Sequence, residues 1–321
     1  MLSVYMNLQD LPVLPPQSLQ ESIRSTMCFF DLFDYPLTFE ELKFYLLSIH
    51  QFSDDEIVSA LENDASVVSK DGFYCFKGSE GHVNSRKVRS VIAANYFKKL
   101  RRFLPFIRLV PFVKMVAVCN TLAIGCPTAK SDIDLFVVSK KNRIFLVRTL
   151  TTVLFHLLGV RRHDEKIAGR FCLSFFVSDE KLDLAHLLKD KNDVYFMYWF
   201  RTLQPLYGKE TFLNFIQENG WAKMYFTDSE NEAKEGSAKP FWKNGRIYRL
   251  SGAFWEFILG GFIGDFLESI FSKKHLKRHS LNMKSFTGDS SVIVNKYMLK
   301  YHNVDRREEY RQKFFEKLLK L

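Results

Sequence analysis

Two aspartates set two apart, Asp132 and Asp134, lead into the apolar run Leu135-Phe-Val-Val138, and no other segment constrains the fold as tightly. At strand spacing both carboxylates leave one face of a sheet, while Ile133 and Leu135 go to the other. The unbroken run Phe136–Val138 predicts a strand covered on both faces. An apolar strand over Met115–Cys119 precedes it, with a turn between them that holds Asn120, Thr121 and Gly125. A helix over 143–159 with Ile144, Val147, Leu150, Val153 and Leu154 on one side follows, then a strand over Phe171–Val177. Strand, turn, strand, helix, strand is an α/β core.

The flanking segments read differently. Residues 18–33 have helical spacing, and Asp34-Tyr-Pro36 ends that helix. Thr38 with Glu41, and Ser53 with Glu56, are capping boxes for helices over about 38–49 and 53–63. Two β-prone runs joined by Asp71-Gly72 then predict a hairpin. Three short helices and a hairpin look like a winged helix-turn-helix unit. Its would-be recognition helix carries Asp54, Asp55, Glu56, Glu62 and Asp64 and no cation, which disfavours duplex DNA and favours protein contact or domain docking. Beyond about residue 190 the pattern is mainly helical, broken by the polar stretch 228–239. The expected division is a winged-helix-like part over 1–80, an α/β part over 81–190 and a helical part over 191–321.

Charge separates these parts. Residues 1–80 hold 4 Lys/Arg against 13 Asp/Glu, whereas 81–131 hold ten Lys/Arg and no acid, within a chain of net charge +10. A basic block of that kind attracts phosphates or forms a solvated helix face. The sign reversal predicts that the N-terminal part docks on the basic one. Five scattered Cys without a C-x-x-C pair argue against a disulfide framework or zinc ribbon, and MLSVYMNLQD has no signal-peptide pattern, so the expected location is cytoplasmic. The segment 251–271 is apolar enough to raise a membrane-spanning reading, but Glu256, Asp265, Glu268 and four glycines favour a buried helix or helical hairpin. The basic stretch Lys273–His279 after it fits RNA or anionic lipid, and equally a solvated helix end.

The segment 116–138 resembles the signature of the DNA polymerase β-like nucleotidyltransferase superfamily: an apolar strand, a Gly-Ser or Gly-Gly pair, about ten residues, then Asp-x-Asp between apolar residues. Ser131-Asp-Ile-Asp-Leu-Phe-Val-Val138 matches its second half, and Asn120-Thr121 stands in the Gly-Ser place with ten residues between. The resemblance covers about 85–190 and implies an α/β (α+β) core with a small mixed sheet. It also implies Mg²⁺-dependent transfer of a nucleoside monophosphate from an NTP to a hydroxyl. In that reading Asp132 and Asp134 are catalytic and hold Mg²⁺, in a site that can take two metals. Asn120, Thr121, Gly125 and Ser131 bind substrate through backbone N–H groups, a hydroxyl and a close approach. The acceptor stays open, with RNA or another anionic molecule favoured by the basic block.

Two departures define the rivals. Asn replaces the family's Gly at position 120, although Asn tolerates positive φ better than most residues. Many members also carry a third carboxylate on a later strand, where Arg170–Ser178 offers Ser174 as its only polar interior residue. A catalytically silent sensor or scaffold that binds nucleotide or RNA is therefore the first alternative, and a winged-helix regulator the second. Arg306 and Arg307 could reach a triphosphate, but the sequence does not place them beside Asp132.

Overall fold

The computed structural model describes residues 14–163, 165–227, 246–282, 292–301 and 305–321. Residues 1–13 and the polar stretch 228–239 lie outside them.

Local signals set the N-terminal elements. The Ser18 hydroxyl accepts from the Glu21 N–H and starts α1 (Leu19–Asp31). Both capping boxes form, opening α2 (Phe39–Tyr45) and α3 (Asp54–Glu62). Strands β1 (Val67–Lys70) and β2 (Phe73–Phe76) pair antiparallel across Asp71 and Gly72, whose φ values of 54° and 79° are those of a type I′ turn. Between helix and hairpin sits Asp64, whose side chain is fully buried against Arg24 at 2.7 Å and Ser66 at 2.6 Å and also bonds Gln20. Burial alone would raise this carboxyl; the Arg24, Ser66 and Gln20 hydrogen bonds outweigh it and hold it well below the usual range.

A depressed carboxyl contributes stability above its unfolded pKa of about 4, and that stability is lost as pH falls through the lower folded value. Asp64→Asn is expected to cost about 2–3 kcal/mol at neutral pH, because Arg24 loses a buried partner. Thermal melts between pH 2 and 7 check this: the variant should melt lower at pH 7, with a shallower acid slope than the wild type.

Helix α4 (His82–Ile107) carries most of the basic block, and Pro105 sits in its last turn without ending it. The expected docking occurs along this helix. Arg86 pairs with Glu41 at 2.7 Å, Lys87 with Asp71 at 2.7 Å and Arg89 with Asp34 at 3.2 Å. Arg86 also lies over the Tyr35 ring, 3.6 Å from its centroid.

The central sheet follows: β3 (Val113–Val118), α5 (Asn120–Ile124), β4 (Ile133–Ser139), α6 (Ile144–Leu157) and β5 (Phe171–Ser178). Then come α7 (Val194–Arg201), β6 (Gln204–Tyr207), α8 (Lys209–Glu218), α9 (Arg246–Leu259) and α10 (Phe262–Asn282). Strands β7 (Val292–Val294) and β8 (Met298–Tyr301) and helix α11 (Arg307–Leu318) complete the described chain. Six strands form one mixed sheet in the order β6-β3-β4-β5-β8-β7, in which only β4 and β5 are parallel.

The described residues of 191–321 are mainly helical, but β6, β7 and β8 also come from that part and enlarge the sheet on both sides. Alternation divides its core. Val116, Ile133, Leu135, Val137 and Phe176 pack under α4 and α6. Met115, Phe136, Val138, Phe175 and Val177 pack under Phe196, Trp199 and Phe215 of α7 and α8. A third cluster joins Phe29 and Phe30 of α1 to Tyr198 of α7 and to Phe314 and Phe315 of α11, so the chain's two ends share one core.

The 251–271 segment is a helical hairpin, as one expectation had it, but its outer face is exposed rather than buried. Among the described residues no helix is long and apolar enough to cross a membrane.

Candidate functional site

The turn after β3 closes as a short helix instead of an open loop. Cys119 caps α5, Asn120 begins it at φ 58° and Gly125 ends it at φ 88°. A side chain at Gly125 would be strained at that φ and would place a Cβ 2.8 Å from the Tyr35 hydroxyl, so the N-terminal unit presses on this turn. The Cys119 N–H donates to the Asp134 carbonyl at 3.2 Å and ties the start of α5 to the start of β4.

Asp132 and Asp134 stand half-buried at the mouth of β4, while Ile133 and Leu135 are buried in the α4–α6 core on the opposite face. Parallel pairing sets Cys172 of β5 beside Asp134. One ligand atom each from Asp132, Asp134 and Cys172 falls within 4.8 Å of the others. The β5 register slips between Cys172 and Phe175, which fits Ser174 hydrogen-bonding the Cys172 thiol while Phe175 returns to the core.

Electrostatics sort the members of the cluster. Burial, then the neighbouring Asp132 charge, pushes the Asp134 carboxyl up to about 6, against hydrogen bonds from Asn120 and Cys172. Burial and the two aspartates push the Cys172 thiol up to about 12, so it is protonated at neutral pH. Arg162 from the loop before β5 donates to Asp132 at 2.6 Å and lies 3.8 Å from the Cys172 sulfur. The two carboxylates are hard donors that suit Mg²⁺ completed by water; the protonated thiol does not.

A cavity of about 180 Å³ adjoins this cluster. Phe175, Tyr195, Trp199, Lys300, Arg306 and Tyr310 line it, and Asn120 belongs to both, since it also bonds Asp134. Tyr195 and Tyr310 stack at 5.0 Å between ring centroids. Arg307, also in the wall, is held by Asp193 at 2.9 Å and Asp305 at 2.7 Å. Aromatic walls with the buried Lys300 and the exposed Arg306 beside them can take a planar base and an anionic tail.

The residues expected to bind substrate separate here. Asn120 lines the cavity; Thr121 is half-buried on the first turn of α5, and Gly125 faces Tyr35. The Ser131 hydroxyl is engaged locally, accepting from the Thr128 N–H at 2.9 Å. Sequence reasoning passed over Cys172, because a cysteine in an apolar strand reads as core, and Arg162, because nothing local ties it to Asp132. The in-register pairing of two parallel strands was the signal that could have found Cys172. Arg306 and Arg307 were visible as candidates, and their placement in the cavity wall depended on β8 joining the sheet next to β5. Comparison with protein-family models, characterised proteins and solved structures finds no match.

Proposed function

We propose that the chain is a nucleotidyltransferase of the polymerase β-like kind, moving a nucleoside monophosphate from an NTP to a hydroxyl acceptor with Mg²⁺. The observation that carries the reading is the convergence of Asp132 and Asp134 at one strand mouth, next to an aromatic and basic cavity shared through Asn120. The order β3-α5-β4-α6-β5, with β4 parallel to β5, supports the nucleotidyltransferase-like core. Helices α1–α3 with the β1–β2 hairpin support the winged-helix-like unit. Its acids pair with α4, which favours docking over reading duplex DNA. Five buried free thiols fit a reducing compartment such as the cytoplasm.

In this reading Asp132 and Asp134 hold Mg²⁺, whose charge offsets that of the triphosphate. The acceptor oxygen bonds the α-phosphorus, the α–β bridge breaks and pyrophosphate leaves. The stacked tyrosines and Trp199 hold the base, while Lys300 and Arg306 draw the phosphates. The proton of the attacking hydroxyl needs a base. A protonated Cys172 thiol does not serve, and Arg162 competes for Asp132.

Those two features support a second reading, a catalytically silent protein that binds nucleotide or RNA. Calorimetric titration with ATP, CTP, GTP and UTP, with and without Mg²⁺, tests the site itself. The expected result is metal-dependent binding of at least one nucleotide. Absence of binding for all four overturns both the transferase and the nucleotide-binding readings.

A further inference from the structure

The α9–α10 hairpin ties its three acids to the protein body, with Glu256 and Glu268 half-buried and Asp265 still 66% exposed. The Glu256 carboxylate accepts from the Phe112 N–H at 2.9 Å, and Glu268 accepts from the first-turn N–H groups of α6, Phe145 at 3.0 Å and Leu146 at 2.7 Å. Asp265 pairs with Arg143 at 2.7 Å, and the same guanidinium donates to the carbonyls of Leu259 at 3.3 Å and Gly260 at 2.9 Å, where the chain reverses. The reversal is tight, since a Cβ on Gly264 would lie 1.7 Å from the Leu259 carbonyl oxygen. Leu259, Leu267 and Phe271 pack on the α4–α6 core. The hairpin is therefore firmly seated, and the three acids that argued against a lipid contact are engaged with the protein body.

Its outer face is apolar and basic. Phe257 and Phe262, on either side of the turn, are 86% and 84% exposed, and Phe254, Trp255, Ile263, Phe266 and Ile270 are exposed with them. On α10, positions 262, 266, 270, 273, 274 and 277 recur at three- and four-residue steps and so share one stripe. That stripe is apolar from the turn to Ile270, about 12 Å along the axis at 1.5 Å per residue. From there it is basic, with Lys273, Lys274, Lys277 and Arg278 exposed. An apolar patch of this kind on a soluble body marks a contact surface.

We propose that this hairpin seats the protein on an anionic lipid surface. The aromatic turn enters the headgroup and acyl boundary, and the four cations of α10 lie against the headgroup phosphates. Charge complementarity selects this occupant over a second copy. On this face a second copy would offer the four cations only Asp265, which Arg143 already holds. The aromatic residues also stand on a convex turn, with Phe257 and Phe262 almost wholly in solvent.

Flotation of the full chain with vesicles of phosphatidylcholine alone, or containing about 30% phosphatidylserine, tests the proposal. Wild type is expected to float with the anionic vesicles about tenfold more than with neutral ones, and to be released by high salt. Phe257→Ser/Phe262→Ser, at exposed positions, should keep the wild-type melting temperature and lose about tenfold in binding. Lys273→Ala/Lys274→Ala/Lys277→Ala should erase the preference for anionic lipid. The proposal is overturned by failure of the wild type to bind either vesicle. Unchanged binding of the Phe257/Phe262 variant overturns it too, as does a wild-type dimer that this variant dissociates, which would make a second copy the occupant.

Discussion

Asp132→Ala/Asp134→Ala is expected to lower Mg²⁺-dependent nucleotide affinity by at least about 100-fold, on the order of 3 kcal/mol, while leaving the fold intact. The two carboxylates are the hard donors at the mouth of β4, and their removal leaves the cavity without a metal-binding edge. Burial and the Asp132 charge raise the Asp134 carboxyl above its unfolded value. At neutral pH, without metal, that raised carboxyl costs stability instead of adding it. Asp132 has its ion pair with Arg162, whose side chain is 42% exposed and can return to water when the partner goes. The double variant should therefore melt at or near the wild-type temperature. Calorimetry beside a thermal melt separates the outcomes. Retained Mg²⁺-dependent binding in a folded double variant would show that the aspartates do not hold the metal and would sink the proposed site.

Cys172→Asp should have the largest gain. The residue lies opposite Asp134 in the parallel β4–β5 register, the position from which a third carboxylate could take the acceptor's proton. A positioned base contributes about 10²–10⁴-fold, so Mg²⁺-dependent pyrophosphate release in the presence of a hydroxyl acceptor should rise by about 100-fold or more. Three carboxylates within one cluster repel one another without metal. The variant is expected to melt lower than wild type in EDTA and to recover with Mg²⁺. Cys172→Ser, which adds no base, should give neither effect. If Cys172→Asp binds nucleotide and metal yet releases no pyrophosphate with any acceptor, the silent-binder reading stands and the transferase reading falls.

What could be read in the chain was local. The Thr38–Glu41 and Ser53–Glu56 boxes and the Asp71-Gly72 turn each act within four residues, so their sequences suffice to place the elements they start or join. The shared face of Asp132 and Asp134 follows from the two-residue period of a strand, and the split of β4 between two cores agrees with it. Acidic and basic segments predicted docking because charge is additive and needs no register. The pairs Arg86–Glu41 and Lys87–Asp71 then depended on the helix phase of α4.

Tertiary structure decided the remainder. Strands β6, β7 and β8, of 4, 3 and 4 residues, are too short to stand out in sequence and exist through pairing with strands elsewhere in the chain. That pairing carries Lys300 and Arg306 to the cavity beside Asn120. Cys172 enters the carboxylate cluster by register, and Arg162 reaches Asp132 across 30 residues. In the C-terminal hairpin the sequence showed three acids in an apolar segment, and only the fold paired all three with the body, Asp265 while still exposed, and left the aromatic face outside. By itself the sequence determined caps, turns, strand faces and the sign of the charge, since those follow from neighbours a few bonds away. Which groups meet in the site, and which surface stays uncovered, depended on contacts between distant segments that only the packed chain brings together.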